Sequence, residues 1–215
     1  MPRELADLPF ADHLRPFDGV LEPEANVDTV HLDGLDFDDV PAAGSRFTEA
    51  ALSSVTFSGG RLRRSRFSDV WMDTVRWMGT DLVESSWLDV ELNGGALAGL
   101  QLFDARLRRV AFSHCKLDAV NLRAAALHEV TFTDCVLRDV DFGGATLTSV
   151  SFPGSSLEGV RLGKSRLAKV DLRGAKRLDI AEGYDALRGA TVSSLQLMEL
   201  APALAQSLGI TVTDR

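Results

Sequence analysis

The chain has 215 residues, of which 45% are hydrophobic and 25% charged, and a net charge of −8. These are the proportions of a globular protein, and no apolar run approaches the ~18 residues of a membrane helix. Two cysteines cannot make a disulfide framework, and the start MPRELADLPF lacks the apolar core of a signal peptide, so a cytoplasmic location is expected.

Residues 1–29 carry no repeat but contain Leu5, Leu8, Phe10, Leu14, Phe17 and Leu21. They are expected to form an arm that covers the end of the next segment or folds back along its outside. The acidity is concentrated here. Residues 1–60 hold twelve Asp and Glu against three Arg, whereas residues 61–215 are nearly balanced.

From Leu32 through Leu172 every fifth position is Leu, Phe, Trp or Met, with Ala42 the one exception. That makes 29 consecutive slots with no insertion. A period of five belongs to neither a helix nor a plain strand. Two positions before each slot lies another apolar or small residue, and the residue between is mostly polar. This is strand alternation, with two side chains on one inner face. The next two positions are often Gly, Ser, Asp or Arg, which suit a corner. Each pentapeptide is therefore one short side and one turn.

The small series Ser45, Ser65, Ser85, Ala105, Ala125, Ala145, Ser165 recurs every 20 residues. So does the larger series Val30, Ala50, Val70, Val90, Val110, Val130, Val150, Val170. Four pentapeptides thus close one coil, and coils stack at about 4.8 Å, the spacing of neighbouring strands. Phe37, Phe57 and Trp77, then Phe47, Phe67 and Trp87, then Phe112, Phe132 and Phe152 should stack as buried columns. The reading is an all-β solenoid over residues 30–192, four-sided, with an irregular last coil where Arg177 breaks the register.

The segment SSLQLMELAPALAQSLG should be helical, with Ser193 or Ser194 capping its start, Gly209 its end, and Pro202 kinking or dividing it. Residues 193–215 are expected to form a helical cap, because a solenoid's last coil exposes apolar core and unpaired backbone.

The units VNLRA, ATLTS and VDLRG resemble the A(D/N)LXX unit of pentapeptide-repeat proteins over residues 30–174. The resemblance implies a right-handed quadrilateral β-helix. The tail GYDALRGATVSSLQLMELAPALAQSLGI is similar to tails of actinobacterial members, in keeping with only four Lys among 23 basic residues. The best-understood members bind DNA gyrase and protect it from quinolones or peptide toxins by mimicking duplex DNA. Plasmid-borne resistance members carry loops that interrupt the repeat; this chain has none and resembles the loop-free mycobacterial, actinobacterial type.

Residues for chemistry are scarce, and an enzyme is not expected. His13, His31, His114 and His128 form no metal spacing. Cys115 and Cys135 share one inward slot in adjacent coils, where small buried thiols are expected rather than zinc ligands or a disulfide. No catalytic residue, cofactor or metal follows from the pattern. What remains is surface.

Over residues 30–174 the Leu32 and Phe37 sides carry a net −7 and the other two sides a net +5. The acidic partner-binding residues expected from this are Asp33, Asp36, Asp38, Asp39, Asp73, Glu91, Asp118, Asp134 and Asp139. Duplex DNA places one charge per ~1.7 Å of axis, so seven coils would face roughly 20 phosphates and this flank could mimic a strand only in part. A mimic should nonetheless show a continuous acidic strip. Direct nucleic-acid binding is not expected of an acidic chain without an aromatic–basic platform. Trp71, Met78, Val83, Leu88 and Phe103 occupy outward slots within two coils, as an apolar contact surface for a partner or homodimer or as a bed for the N-terminal arm. Two functions follow: binding and protection of DNA gyrase or another topoisomerase, or a general protein–protein scaffold.

Overall fold

The computed structural model describes residues 3–213. The repeat forms an all-β solenoid of about 8 turns, a right-handed quadrilateral β-helix of pentapeptide repeats. Strands from successive coils pair in parallel, 20 residues apart: Leu107 with Leu127, Val110 with Val130, Phe112 with Phe132. Long segments such as Arg46–Ser53, Arg66–Asp73 and Arg106–Ser113 turn one corner and line both the Phe47 and Leu32 sides in a single sheet. Short strands such as Asp36–Asp38, Thr56–Ser58 and Arg76–Met78 make an eight-stranded sheet on the Phe37 side. The Ala42 side is joined by single bridges, Arg61 to Asp81 to Gln101 to Asn121 to Asp141 to Arg161.

The interior fills as the period demands. Leu52, Leu62, Met72, Leu82, Leu127 and Leu147 are buried. The aromatic columns stack with ring centroids 4.8 Å apart for Phe47–Phe67 and Phe112–Phe132, and 4.0 Å for Phe57–Trp77. The corners impose a backbone cost. Every fifth residue from Glu24 to Lys169 has positive φ, and of these 30 corners nine are Gly. L-residues resist this region, since Cβ crowds the carbonyl. Inter-coil hydrogen bonds hold them there, among them Asp104 N to Arg123 O at 3.0 Å and His114 N to Thr133 O at 2.9 Å.

Among the described residues three buried side-chain polar atoms lack a hydrogen-bond partner, in Trp77, Thr80 and Ser165. Thr80 is fully buried, and its hydroxyl has no hydrogen-bond partner among the described residues. An unpaired buried hydroxyl forfeits its hydration, at a cost of about 1–3 kcal/mol. Thr80→Val, which keeps the shape, should raise the denaturation midpoint, by about 1 kcal/mol of stability. A lower midpoint would mean that the hydroxyl is satisfied.

Both ends are covered. At the first coil Leu21 and Val27 are buried, and Phe17 packs edge-on against Phe37 at 6.4 Å. Upstream of Phe17 the chain folds back along the outside of the Leu32 side. Arg15 and Pro16 pair with Val30 and His31, while Leu8 and Phe10 are buried against Ala51 and Trp71. The N-terminal segment therefore both covers the end and straps the flank.

At the other end Arg177 lies outside and Leu178 takes the inward place opposite Leu157, so the last coil carries one extra residue. Helix α1, Ser194–Ser207, follows, with Ser193 and Gln196 forming a reciprocal cap. Pro202 lies inside α1 without dividing it. Leu200 buries itself on the core, and the buried Gln196 amide donates to the carbonyls of Leu172 at 2.8 Å and Ala175 at 3.3 Å. A polar side chain thus occupies acceptors that a further coil would have taken. Among the described residues no helix is long and apolar enough to cross a membrane.

Candidate partner-binding surface

The nine expected acidic residues divide into a corner and a set of paired or scattered groups. Asp33, Asp36, Asp38 and Asp39 are exposed and adjacent, within one coil at the N-terminal end. Among the described residues none of the four forms an ion pair; Asp39 accepts a hydrogen bond from Gly60 N at 3.2 Å. Beyond that coil the pattern changes. Glu91 is held by Arg3 at 2.6 Å, and Asp134 by Lys176 at 3.2 Å. Asp73 accepts from Asn93 at 2.6 Å, while Asp118 and Asp139 are exposed several coils away, with Arg138 beside both.

The strip is therefore not continuous. Along the Phe37 side the residues above Asp36 read Thr56, Arg76, Ala96 and Lys116, and those above Asp38 read Ser58, Met78 and Ala98 before Asp118. Charge reverses along one column and vanishes along the other. On the arm, Glu4, Asp7 and Asp12 are exposed.

The apolar set also divides. Trp71 is 7% exposed beneath the arm, and its indole N–H donates to the Arg3 carbonyl at 3.0 Å. It is a bed for the arm and is not available to a partner in this state. What covers it is the non-repetitive segment. Met78 and Phe103 are each 44% exposed on different sides, and Val83 and Leu88 are half-buried, so no single patch forms. A larger apolar surface lies where the period gave no warning. On α1 and the tail after it, Met198, Ala201, Pro202, Ala205, Ile210 and Val212 line an open groove of about 540 Å³.

The basic half of the rod presents Arg46, Arg66, Arg106 and Arg166 outward, without carboxylate partners among the described residues. Arg109 instead takes Asp89 in two hydrogen bonds of 2.6 Å, which hold that carboxyl below its usual range. Such an exposed pair contributes little to stability.

Among the described residues no three His, Cys, Asp or Glu converge as a metal set. Cys115 and Cys135 are buried and stacked, with Cys115 N donating to the Cys135 sulfur at 3.4 Å. A side-chain hydrogen bond between the two thiols, with burial second, pushes the Cys115 thiol up, and the same bond pushes the Cys135 thiol down.

Residues 85–162 match the family model of the pentapeptide repeat region. No curated protein matches the chain. Among solved structures the chain is similar to a trypsin-treated form of QnrB1, described as a plasmid-mediated fluoroquinolone resistance protein. The identity is 14% over 88% of this chain and 100% of that one, with a TM-score of 0.43. It is also similar to HetL, a pentapeptide repeat protein involved in heterocyst differentiation regulation in the cyanobacterium Nostoc. There the identity is 18% over 80% of this chain and 90% of the other, with a TM-score of 0.24.

Proposed function

Because the chain is a pentapeptide-repeat protein, we propose that it is a non-enzymatic, cytoplasmic protein-binding solenoid whose acidic N-terminal corner docks on a basic surface of its partner. The observation that carries this reading is the set Asp33, Asp36, Asp38 and Asp39, four exposed carboxylates fixed on a rigid corner without a compensating cation among the described residues. Rigid placement matters because a docking surface on ordered strands loses little conformational entropy on binding.

The most specific partner is DNA gyrase or another topoisomerase, whose DNA-binding saddle is basic. Family resemblance supports this choice, with quinolone resistance as the outcome for the cell. The charge distribution supports a DNA mimic confined to one end rather than along the whole rod. A general scaffold for another basic partner is the second reading, favoured by the interrupted acidic columns. The exposed apolar groove of α1 supports a homodimer, since contiguous apolar patches of this kind mark contact sites.

The test is gyrase supercoiling and quinolone-stabilised cleavage, with enzyme from the same organism. Wild type should inhibit supercoiling and lower cleavage, more weakly as salt rises, because surface charges are screened within about 8–10 Å at physiological ionic strength. Replacing Asp36, Asp38 and Asp39 by Lys should abolish both effects while leaving the melting curve in place. No effect of excess wild type on either reaction would leave the general scaffold as the reading.

A further inference from the structure

We propose that the arginine corner at residues 61–66 is a docking surface for the acidic corner of a second copy of this chain. The stretch RLRRSR wraps the corner between the Ala42 and Phe47 sides. Arg61, Arg63 and Arg64 stand immediately before, immediately after and at the turn beyond the inward Leu62. Asp36, Asp38 and Asp39 stand in the same three slots around Phe37. Asp36–Asp38 is a short strand, whereas Arg63 and Arg64 lie in a turn, so the two sets match in number and in opposite charge but differ in backbone shape. Arg66 extends the first set around its corner as Asp33 extends the second.

The arginine set is not consumed within its own chain. Arg61, Arg64, Arg66 and Arg46 are exposed and have no ion-pair partner among the described residues. Arg63 reaches Asp81 at 3.4 Å, and Glu84 lies one coil beyond Arg64. Even counting these two acids, an excess of positive charge remains. Arg66 also stacks directly on Arg46 in the parallel ladder. Like charges directly opposite on neighbouring strands repel, and carboxylates from outside would relieve that repulsion. The acidic corner is the complementary surface that the molecule itself provides.

The two triads lie on adjacent sides of a convex rod. In a contact between copies, the acids of one molecule meet the arginines of another. That contact occupies Asp36, Asp38 and Asp39, the residues proposed to meet a basic partner. Self-association and partner docking then compete for one corner.

Static light scattering of the full chain tests this through the sign of the second virial coefficient against added salt. Net charge alone makes molecules repel, and salt weakens that repulsion. Complementary corners make them attract at moderate ionic strength, and salt weakens the attraction. The expected result is a negative coefficient that rises with salt. Replacing Arg61, Arg63 and Arg64 by Glu should reverse that trend, and so should replacing Asp36, Asp38 and Asp39 by Lys. An equimolar mixture of the two variants should recover the attraction, which also shows that both are folded. A wild-type coefficient that falls with salt overturns the proposal, as does a mixture no more attractive than its components. So does binding of a short fluorescein-labelled DNA duplex that the Arg→Glu variant loses, in the absence of self-attraction, which would assign the corner to nucleic acid. The Arg→Glu variant keeps the acidic corner, so its effect on gyrase separates failure of this contact from failure of partner docking.

Discussion

Leu127→Arg should prevent folding. Leu127 is 1% exposed and lies between Leu107 and Leu147 in adjacent coils. An arginine there has no room, no acceptor and no path to water, and burying an unpaired charge costs several kcal/mol. Folded domains are stable by only about 5–15 kcal/mol, so one such change removes a large share of the total. The expected readout is insoluble protein or loss of the β-sheet circular dichroism signal. Arg106 makes the control. Its neighbour Leu107 pairs directly with Leu127, yet Arg106 itself points outward and has no ion-pair partner among the described residues. Arg106→Ala should change stability by less than about 0.5 kcal/mol. Equal sensitivity at the two sites would refute the assignment of inside and outside.

Removing residues 194–215 should have a comparable effect by a different route. The truncation deletes Leu200 from the core and strips the Gln196 amide from the Leu172 and Ala175 carbonyls. The last coil would then present apolar side chains and free acceptors together, a template for pairing with another chain. Light scattering after size exclusion should report higher oligomers or aggregate. Gln196→Ala isolates the polar part. It leaves the Ala175 carbonyl without that donor, while Leu172 O keeps Ala175 N at 3.0 Å, and stability should fall by about 1–2 kcal/mol. A monodisperse truncated protein with an unchanged melting point would show that α1 is not what protects the end.

The fold was legible because one constraint repeats. A central slot such as Leu92 or Phe132 meets the same neighbours at the same distance in every coil, so its identity announces its place. The 20-residue alternation of Ser65, Ser85 and Ala105 against Val70, Val90 and Val110 even revealed the number of sides. The ends are legible only as composition. Leu8 and Phe10 show that the arm must bury something, but not that it buries Trp71. Gln196 reads as an ordinary polar residue of a helix, since its acceptors lie 24 and 21 residues away in a coil whose register has slipped. The surface is harder still. Outward slots can be identified one at a time, yet whether Asp73 or Glu91 is free depends on Asn93 and on Arg3, which the period does not place. The acidic corner could be read because its four members belong to a single coil. The supposed strip could not, because each further member depended on a neighbour of unknown charge in the next coil.

The unbroken 20-residue pairing also bears on how this chain reaches its structure. All-β proteins usually fold slowly, because their strands find partners far along the chain. Here each strand needs only the preceding coil, so the typical separation is about one-tenth of the chain length, a relative contact order more usual for helical bundles. The loop to be closed is the same for every coil up to the last, which is one residue longer, and only the arm closes larger ones. A single formed coil offers the next a ready edge, so folding can start wherever two coils first pair and run outward from there. The arm and α1 then matter in time as well as in space: they stop a process of addition that the repeat itself gives no reason to end.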